Sequence, residues 1–171
     1  PRTTWRCKEC HGWDYRGRDG VAEASGHKTS IKGIHGLAGM EPRLITPRFM
    51  DERHRLAGLL SPRDRLDLAN FVGRGQFDMD EFIERDTRKA LGRAERYTAH
   101  YHTICAACHG ADGREIRTMP PLGRIAAADP WRALHGILNG HPGESMPPLM
   151  ALPREAAVGI LAYIQTLPQH R

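Results

Sequence analysis

The chain of 171 residues has a formal net charge of +5, only 6% aromatic residues, 18 glycines and 12 prolines. No stretch approaches 18 consecutive apolar residues, so the sequence excludes a transmembrane helix. The arginines are scattered rather than gathered into a basic run, which favours a solvated surface over a nucleic-acid-binding face. The few aromatics and many loop-forming residues predict thin hydrophobic cores.

The first feature along the chain is the pattern Cys-x-x-Cys-His at residues 7–11, which recurs at residues 105–109. This pattern is typical of c-type haem attachment. On one helical turn both thiols can form thioether bonds to porphyrin vinyl groups, while the imidazole reaches the iron from the same side. We therefore predict two covalently attached haem c groups. The thioether residues are Cys7, Cys10, Cys105 and Cys108, and the proximal iron ligands are His11 and His109.

Three other interpretations of the cysteines are a disulfide, a thioredoxin-like redox pair and a zinc site. A four-cysteine zinc site usually keeps its two pairs about 15–20 residues apart, whereas Cys10 and Cys105 are far apart in sequence. A thioredoxin-like pair requires a surrounding βαβ pattern, and neither motif is flanked by β-branched runs. None of the three explains why a histidine follows both pairs. All four cysteines fall inside the motifs, so none is left for another role.

The rest of the first half predicts a loop and then a helix. Residues 12–39 are rich in glycine, charge and histidine, and predict irregular loop. Ser61 and Asp64 flank Pro62 in a capping-box pattern that marks the start of a helix. Gly73 is placed to end this helix.

The second half predicts three helices. After a polar connector, a charged helix is predicted over residues 81–104, leading into the second motif. Residues 110–128 again predict loop. A short helix is predicted over 130–139, capped by Asp129. The last helix runs from about residue 152 to residue 167, with apolar residues at helical spacing.

No segment alternates as a strand should, so the predicted fold is all-α. The repeated motif favours two tandem domains, residues 1–77 and 78–171, each a few helices wrapped around one haem. The closing helices of the two halves, 60–71 and 152–163, match in the register of their apolar residues. Two haems would supply apolar mass to the thin cores, and their propionates would bring the loaded protein close to neutral.

The sixth iron ligand must come from the opposite face of each haem. In the second half Met146 lies between Ser145 and two prolines, just before the closing helix, and Met119 and Met150 compete with it. Each proximal imidazole should donate its other N–H to a carbonyl, and for His109 Pro120 or Pro121 could provide it.

The distal ligand of the first half follows from the register of the closing helices. Shifting Met146 back by the offset between these helices gives His54 rather than a methionine. Met50 is the next candidate, followed by Met40. Methionine ligation raises the potential of a haem relative to bis-histidine ligation, so one chain would then hold a high-potential and a low-potential site.

The second half resembles the class I cytochrome c family, with its motif helix, Pro120 and Pro121, Met146, and a closing helix bearing Tyr163. The first half is similar to the small tandem dihaem cytochromes c of bacterial respiratory chains, but lacks most of the preceding helix and a Met-Pro loop. The residues that carry this second likeness are Cys7, Cys10, His11, Trp13 and Phe71. The resemblance implies single-electron transfer and haem attachment after export, hence a periplasmic location.

The main functional hypothesis is a carrier or electron-transfer subunit with no substrate chemistry of its own. Its partners would be redox proteins such as an oxidoreductase, another cytochrome or a terminal oxidase, without nucleic acid. The alternative is a dihaem enzyme of the peroxidase or thiosulfate dehydrogenase type. A peroxidase needs an open iron position and acid/base groups. A thiosulfate dehydrogenase of the known kind would use a cysteine as distal ligand, and all four are committed.

The chain lacks an initiator Met and a signal peptide, and Cys7 comes soon after its start. We therefore expect a processed or trimmed form of a longer protein. A docked subunit, or a domain of a larger complex-bound or membrane-anchored parent, is compatible with the same electron-transfer chemistry.

Overall fold

The computed structural model describes residues 7–21, 29–54, 56, 58–141 and 145–171. Within these residues the chain is helical and forms no β-strand, apart from isolated bridges between Gly17 and Lys32 and between Ile83 and Ala90. The predicted all-α class is confirmed for this part of the chain. No helix in it is long and apolar enough to cross a membrane. The described residues form two compact units, the first ending at Asp78 and the second beginning at Met79.

The first unit is built from short helices joined by loops. Its α-helices are α1 (Lys8–His11), α2 (Pro42–Ile45) and α3 (Pro62–Asn70), with 3₁₀ turns at His35–Leu37 and Thr46–Met50 and a π-helical turn at Phe71–Gly75. The predicted capping box is confirmed, because the Ser61 hydroxyl accepts from the Asp64 N–H and the Asp64 carboxylate accepts from the Ser61 N–H. The predicted helix end at Gly73 was wrong by two residues, because the π-helical turn continues the helix to Gly75.

Apolar packing in the first unit is sparse. The buried cluster consists of Ile45, Ala69 and Val72, with partly buried neighbours packed around it. Hydrogen bonds between polar side chains supplement this small core. Arg16 donates two hydrogen bonds to the Asp78 carboxylate, at 3.0 and 3.1 Å, and so links the loop after the motif to the end of the unit.

The second unit contains five α-helices, of which the last two are the longest in the described residues. They are α4 (Ala94–His100), which continues through a π-helical turn (Tyr101–Cys105) into α5 (Ala106–His109), then α6 (Leu122–Ala128), α7 (Pro130–Asn139) and α8 (Arg154–Ile164). The Asp129 side chain caps α7 by accepting from the Arg132 N–H at 3.0 Å, as predicted. The predicted loop 110–128 was wrong at its end, where α6 forms.

The predicted helix over 81–104 was wrong in its first half. Residues 82–91 instead fold back on themselves, with Glu84 N–H donating to the Lys89 carbonyl and Leu91 N–H to the Phe82 carbonyl. The Gln165 side chain holds this segment from outside. Its amide oxygen accepts from the Ala90 N–H and its amide nitrogen donates to the Arg88 carbonyl. Tertiary hydrogen bonds therefore override the local helical preference.

Helix α8 is the centre of the second unit. Its residues from Ala156 to Ala162 are buried, whereas Leu152 of the predicted apolar stripe is exposed. Helix α4 lies against it where Gly159 lacks a side chain. A methyl group at Gly159 would overlap the ring of Tyr97, so the close approach of α4 and α8 requires glycine at this position.

We predict that Gly159→Ala destabilises the second unit. The added methyl group must displace the Tyr97 ring or separate α4 from α8, and overpacking of this kind costs about 1–3 kcal/mol. Urea unfolding of the haem-loaded protein, followed by far-UV circular dichroism, would measure the loss. Gly36→Ala is the control, because a methyl group there meets nothing within 4 Å. Equal unfolding midpoints for the two variants would contradict the prediction.

Candidate functional site

The two Cys-x-x-Cys-His motifs adopt the same backbone conformation. In each, the first cysteine precedes a one-turn helix, α1 or α5, and the second cysteine and the histidine end that helix. Gly12 and Gly110 follow with φ of 74° and 77°, a region open to glycine at little steric cost. Their N–H groups close the turn on the carbonyls of Lys8 and Ala106, both at 2.9 Å.

The likeness extends into the loop after each motif. The backbone carbonyl of His11 accepts from the Gly17 N–H at 2.8 Å, and that of His109 accepts from the Glu115 N–H at 3.1 Å. In both cases the donor stands six residues after the histidine. Each motif histidine is thus anchored through its own backbone to the loop that follows it.

An aspartate and an arginine complete the repeated structure. Asp14 and Asp112 each accept a hydrogen bond from the backbone N–H two residues later, that of Arg16 at 3.1 Å and that of Arg114 at 3.2 Å. The repeated sequence is therefore Cys-x-x-Cys-His-Gly-x-Asp-x-Arg. Sequence analysis did not extend the motif beyond the histidine, although the glycine, aspartate and arginine recur at the same spacing in both halves of the sequence.

None of the four cysteines, all of which lie within the described residues, forms a disulfide. Cys7 has an exposed surface, yet enough protein surrounds its sulfur for desolvation to raise the pKa of the thiol, and burial also raises the pKa of Cys105. Redox-active Cys-x-x-Cys pairs have lowered thiol pKa values. The surroundings of these cysteines therefore do not favour the thioredoxin-like interpretation.

In the first unit the structure brings His11 and His54 together. Their ring centroids are 6.3 Å apart and their planes differ by 25°. His11 Nδ1 lies 2.9 Å from the Lys32 carbonyl oxygen, and His54 Nδ1 lies 3.0 Å from an Asp51 carboxylate oxygen. These hydrogen bonds engage Nδ1 of each ring, so Nε2 is the nitrogen available to bind a metal.

The distance between these rings can be compared with that of two ligands of one iron. With a metal–nitrogen bond of about 2 Å and a ring nitrogen about 1 Å from its centroid, two imidazoles on opposite sides of a metal have centroids about 6 Å apart. The observed separation matches this value. Burial, with a further contribution from His54, lowers the pKa of His11 and favours the neutral imidazole that binds metal.

The methionines considered for the first unit occupy other surroundings. Met40 packs against the small apolar core, and Met50 is 47% exposed at the end of its 3₁₀ turn. The ring of Phe49, next to Met50, packs edge-on against His54 with centroids 6.3 Å apart. The surroundings of His54 therefore agree better with a ligand role than those of either methionine.

In the second unit Met146 is half-buried and Met119 likewise, whereas Met150 is 66% exposed. The Leu149 N–H donates to the Ile137 carbonyl at 3.1 Å and so ties the end of the Met146 loop to α7. Residues 142–144 of this loop lie outside the described residues. Met146 as distal ligand stays a prediction.

Two histidines that sequence analysis did not single out, His135 and His141, interact with each other, and His141 also interacts with His109. Burial, with a further contribution from His141, lowers the pKa of His109 and lowers that of His135 to about 4. Among the described residues the His109 ring makes no hydrogen bond, so a carbonyl from Pro120 or Pro121 also stays a prediction.

The donor groups of the chain fit a haem. Within the described residues no group of three or more His, Cys, Asp or Glu side chains is arranged to hold a metal ion. A haem requires at most two protein ligands, because the porphyrin supplies the others. In the same part of the chain, the fully buried Trp131 has no acceptor for its indole N–H. A haem propionate is an acceptor of the kind that such a group requires.

Comparison with known proteins identifies a cytochrome c domain in the second half. Residues 92–164 match the family described as "Cytochrome C oxidase, cbb3-type, subunit III". Such a domain implies covalently bound haem c, redox partners and electron transfer, usually as a carrier rather than an enzyme, and is typically extracytoplasmic. No curated protein and no solved structure matches the chain. The match covers less than half of the chain and assigns no site residue, so the presence of two haems and the residues of both haem sites stay predictions.

We predict that His135 makes stability depend on pH. Its pKa in the folded protein is about 4, against an ordinary value of 6.5. Between these values the unfolded chain binds more protons, so stability rises with pH by up to about 1.4 kcal/mol per pH unit. Urea unfolding of the haem-loaded protein from pH 4.5 to 7 should show a smaller rise for His135→Gln.

The control for this experiment is His170→Gln, which removes an exposed histidine from the same unit and should keep the wild-type slope. The same pH slope in His135→Gln and in wild type would contradict the assignment.

Proposed function

We propose that this protein is a dihaem c-type cytochrome that transfers single electrons between periplasmic redox partners, as a free carrier or as an electron-transfer subunit. The observation that carries the proposal is the repeated geometry of the two motifs, from their one-turn helices to the Asp and Arg that follow. One copy lies within the region that matches a cytochrome c family. The same structure in the other copy supports the same cofactor there.

The thioether bonds are assigned to the two cysteines of each motif, and the proximal ligands to His11 and His109. The haem supplies the one-electron Fe(III)/Fe(II) couple when it is bound. The protein residues supply the axial donors. Burial lowers the pKa of His11 and that of His109, which favours the neutral imidazoles that the proximal role requires.

The distal ligands are assigned to His54 in the first unit and Met146 in the second. The separation of the His11 and His54 rings supports bis-histidine ligation of the first haem. The half-buried position of Met146, on a loop tied to α7, supports His/Met ligation of the second. Because methionine ligation raises the haem potential, the first haem would be the lower in potential of the two.

Axial ligands on both faces of both irons leave no coordination position for a substrate. Electron exchange is then the only chemistry available at either haem, which favours a carrier over a peroxidase. The four cysteines are assigned to thioether bonds, so none is available as the distal ligand of a thiosulfate dehydrogenase.

We predict two haems per chain by the pyridine haemochrome assay, and one in the Cys7→Ala, Cys10→Ala double variant. Low-temperature EPR with near-infrared magnetic circular dichroism should show two low-spin signals, one bis-histidine and one His/Met. A single haem in the wild type would refute the dihaem assignment. A substantial high-spin signal would reveal an open iron, contradict the pure carrier, and require a test of peroxide turnover.

We further predict that the ligand variants change one signal each. His54→Leu should remove the bis-histidine signal and leave the His/Met signal intact, whereas the control Met50→Leu should change neither. Met146→Leu should remove the His/Met signal, with the exposed Met150→Leu as its control. Loss of a low-spin signal in either control, but not in its partner variant, would transfer the ligand assignment to Met50 or Met150.

A further inference from the structure

The Asp51 carboxylate holds the turn that carries His54. Its Oδ1 accepts hydrogen bonds from the backbone N–H groups of Arg53 at 3.0 Å and His54 at 2.9 Å. The same oxygen lies 3.0 Å from His54 Nδ1. One carboxylate oxygen therefore fixes both the backbone and the imidazole of His54.

We infer that Asp51 is a positioning residue for the first haem: it fixes the tautomer and orientation of His54 that present Nε2 to the iron, and it lowers the potential of this haem. The inference rests on the bis-histidine ligation proposed above. A carboxylate on Nδ1 keeps the proton on that nitrogen, so the lone pair is on Nε2. A carboxylate partner also makes the imidazole a stronger donor. A stronger donor stabilises ferric iron relative to ferrous iron.

The two histidines of the first unit differ in their hydrogen-bond partners. His11 Nδ1 is held by the neutral carbonyl of Lys32, whereas His54 Nδ1 is held by an anionic carboxylate. Both Asp51 and His54 are partly exposed, with 44% and 35% of their side chains accessible, so solvent screens the charge in part. Asp51 thus adds to the difference in potential that the two distal ligands already create.

The test uses Asp51→Asn and Asp51→Glu in the haem-loaded chain. An Asn side-chain oxygen can still accept from the two backbone N–H groups, so Asp51→Asn removes the charge while it keeps the turn. A redox titration followed by visible absorbance should show the lower-potential step moving upward, by about tenfold in the reduction equilibrium constant or about 59 mV for a one-electron couple. The bis-histidine EPR signal should persist with changed g values. Asp51→Glu should return the potential towards that of the wild type.

Asp67→Asn is the matched control. It removes an exposed carboxylate from α3 of the same unit, where its contact to Arg63 is 3.9 Å long, and it should leave both potentials unchanged. An Asp51→Asn variant with unchanged potentials and g values, in a protein whose wild type shows the bis-histidine signal, would overturn the inference and leave the proposed function standing. An equal shift in Asp67→Asn would overturn it too, as a general charge effect. A wild type without a bis-histidine signal would refute the proposed ligation, and Asp51 with it.

Discussion

The histidine of each motif is fixed by a turn of backbone that immediately follows it. The glycine after the histidine has a positive φ, which reverses the chain and lets the next loop return to donate a hydrogen bond to the histidine carbonyl. With ψ of 166° and 162°, the two glycines lie in an extended positive-φ region that is essentially restricted to glycine, and a residue with a side chain there would cost about 1–3 kcal/mol. In the first unit the chain then reaches Lys32, whose carbonyl holds the His11 ring. In the first unit, the motif helix, the loop after it and the position of the His11 ring therefore all depend on the backbone conformation of Gly12.

Features with a local cause could be predicted from the sequence. The capping box at Ser61 and Asp64 and the cap at Asp129 are contacts between residues three positions apart, so the sequence contains all their parts. The apolar spacing of the last helix likewise follows from helical periodicity, and its core positions are buried from Ala156 onward. The extension of the motif to Asp14 and Asp112 is also local, so it could have been predicted from the sequence, although the sequence analysis identified the repeat only as far as the histidine.

Features fixed by distant residues could not be predicted in this way. The segment 82–91 resembles a charged helix, and its hairpin-like path depends on Gln165, which lies at the other end of the unit in sequence. Helix α6 follows Pro121 without a polar cap, so no start signal preceded it. His54 stands in an arginine-rich stretch like an ordinary surface residue. Only the register between the two halves pointed to it, and its pairing with His11 is a tertiary contact.

The same division between local and distant contacts would let one chain hold the two proposed haems in different surroundings. The backbone of each motif and of the turn after it is encoded within about ten residues, so a repeat of that stretch reproduces it, as the matched hydrogen bonds of Asp14 and Asp112 illustrate. The distal side depends on loops whose position the rest of each unit determines. Those loops can diverge without disturbing haem attachment. The Asp51 carboxylate beside His54 and the prolines after Met146 are such divergent surroundings of the two proposed distal ligands. Potentials can therefore be set on the distal side while attachment stays the same.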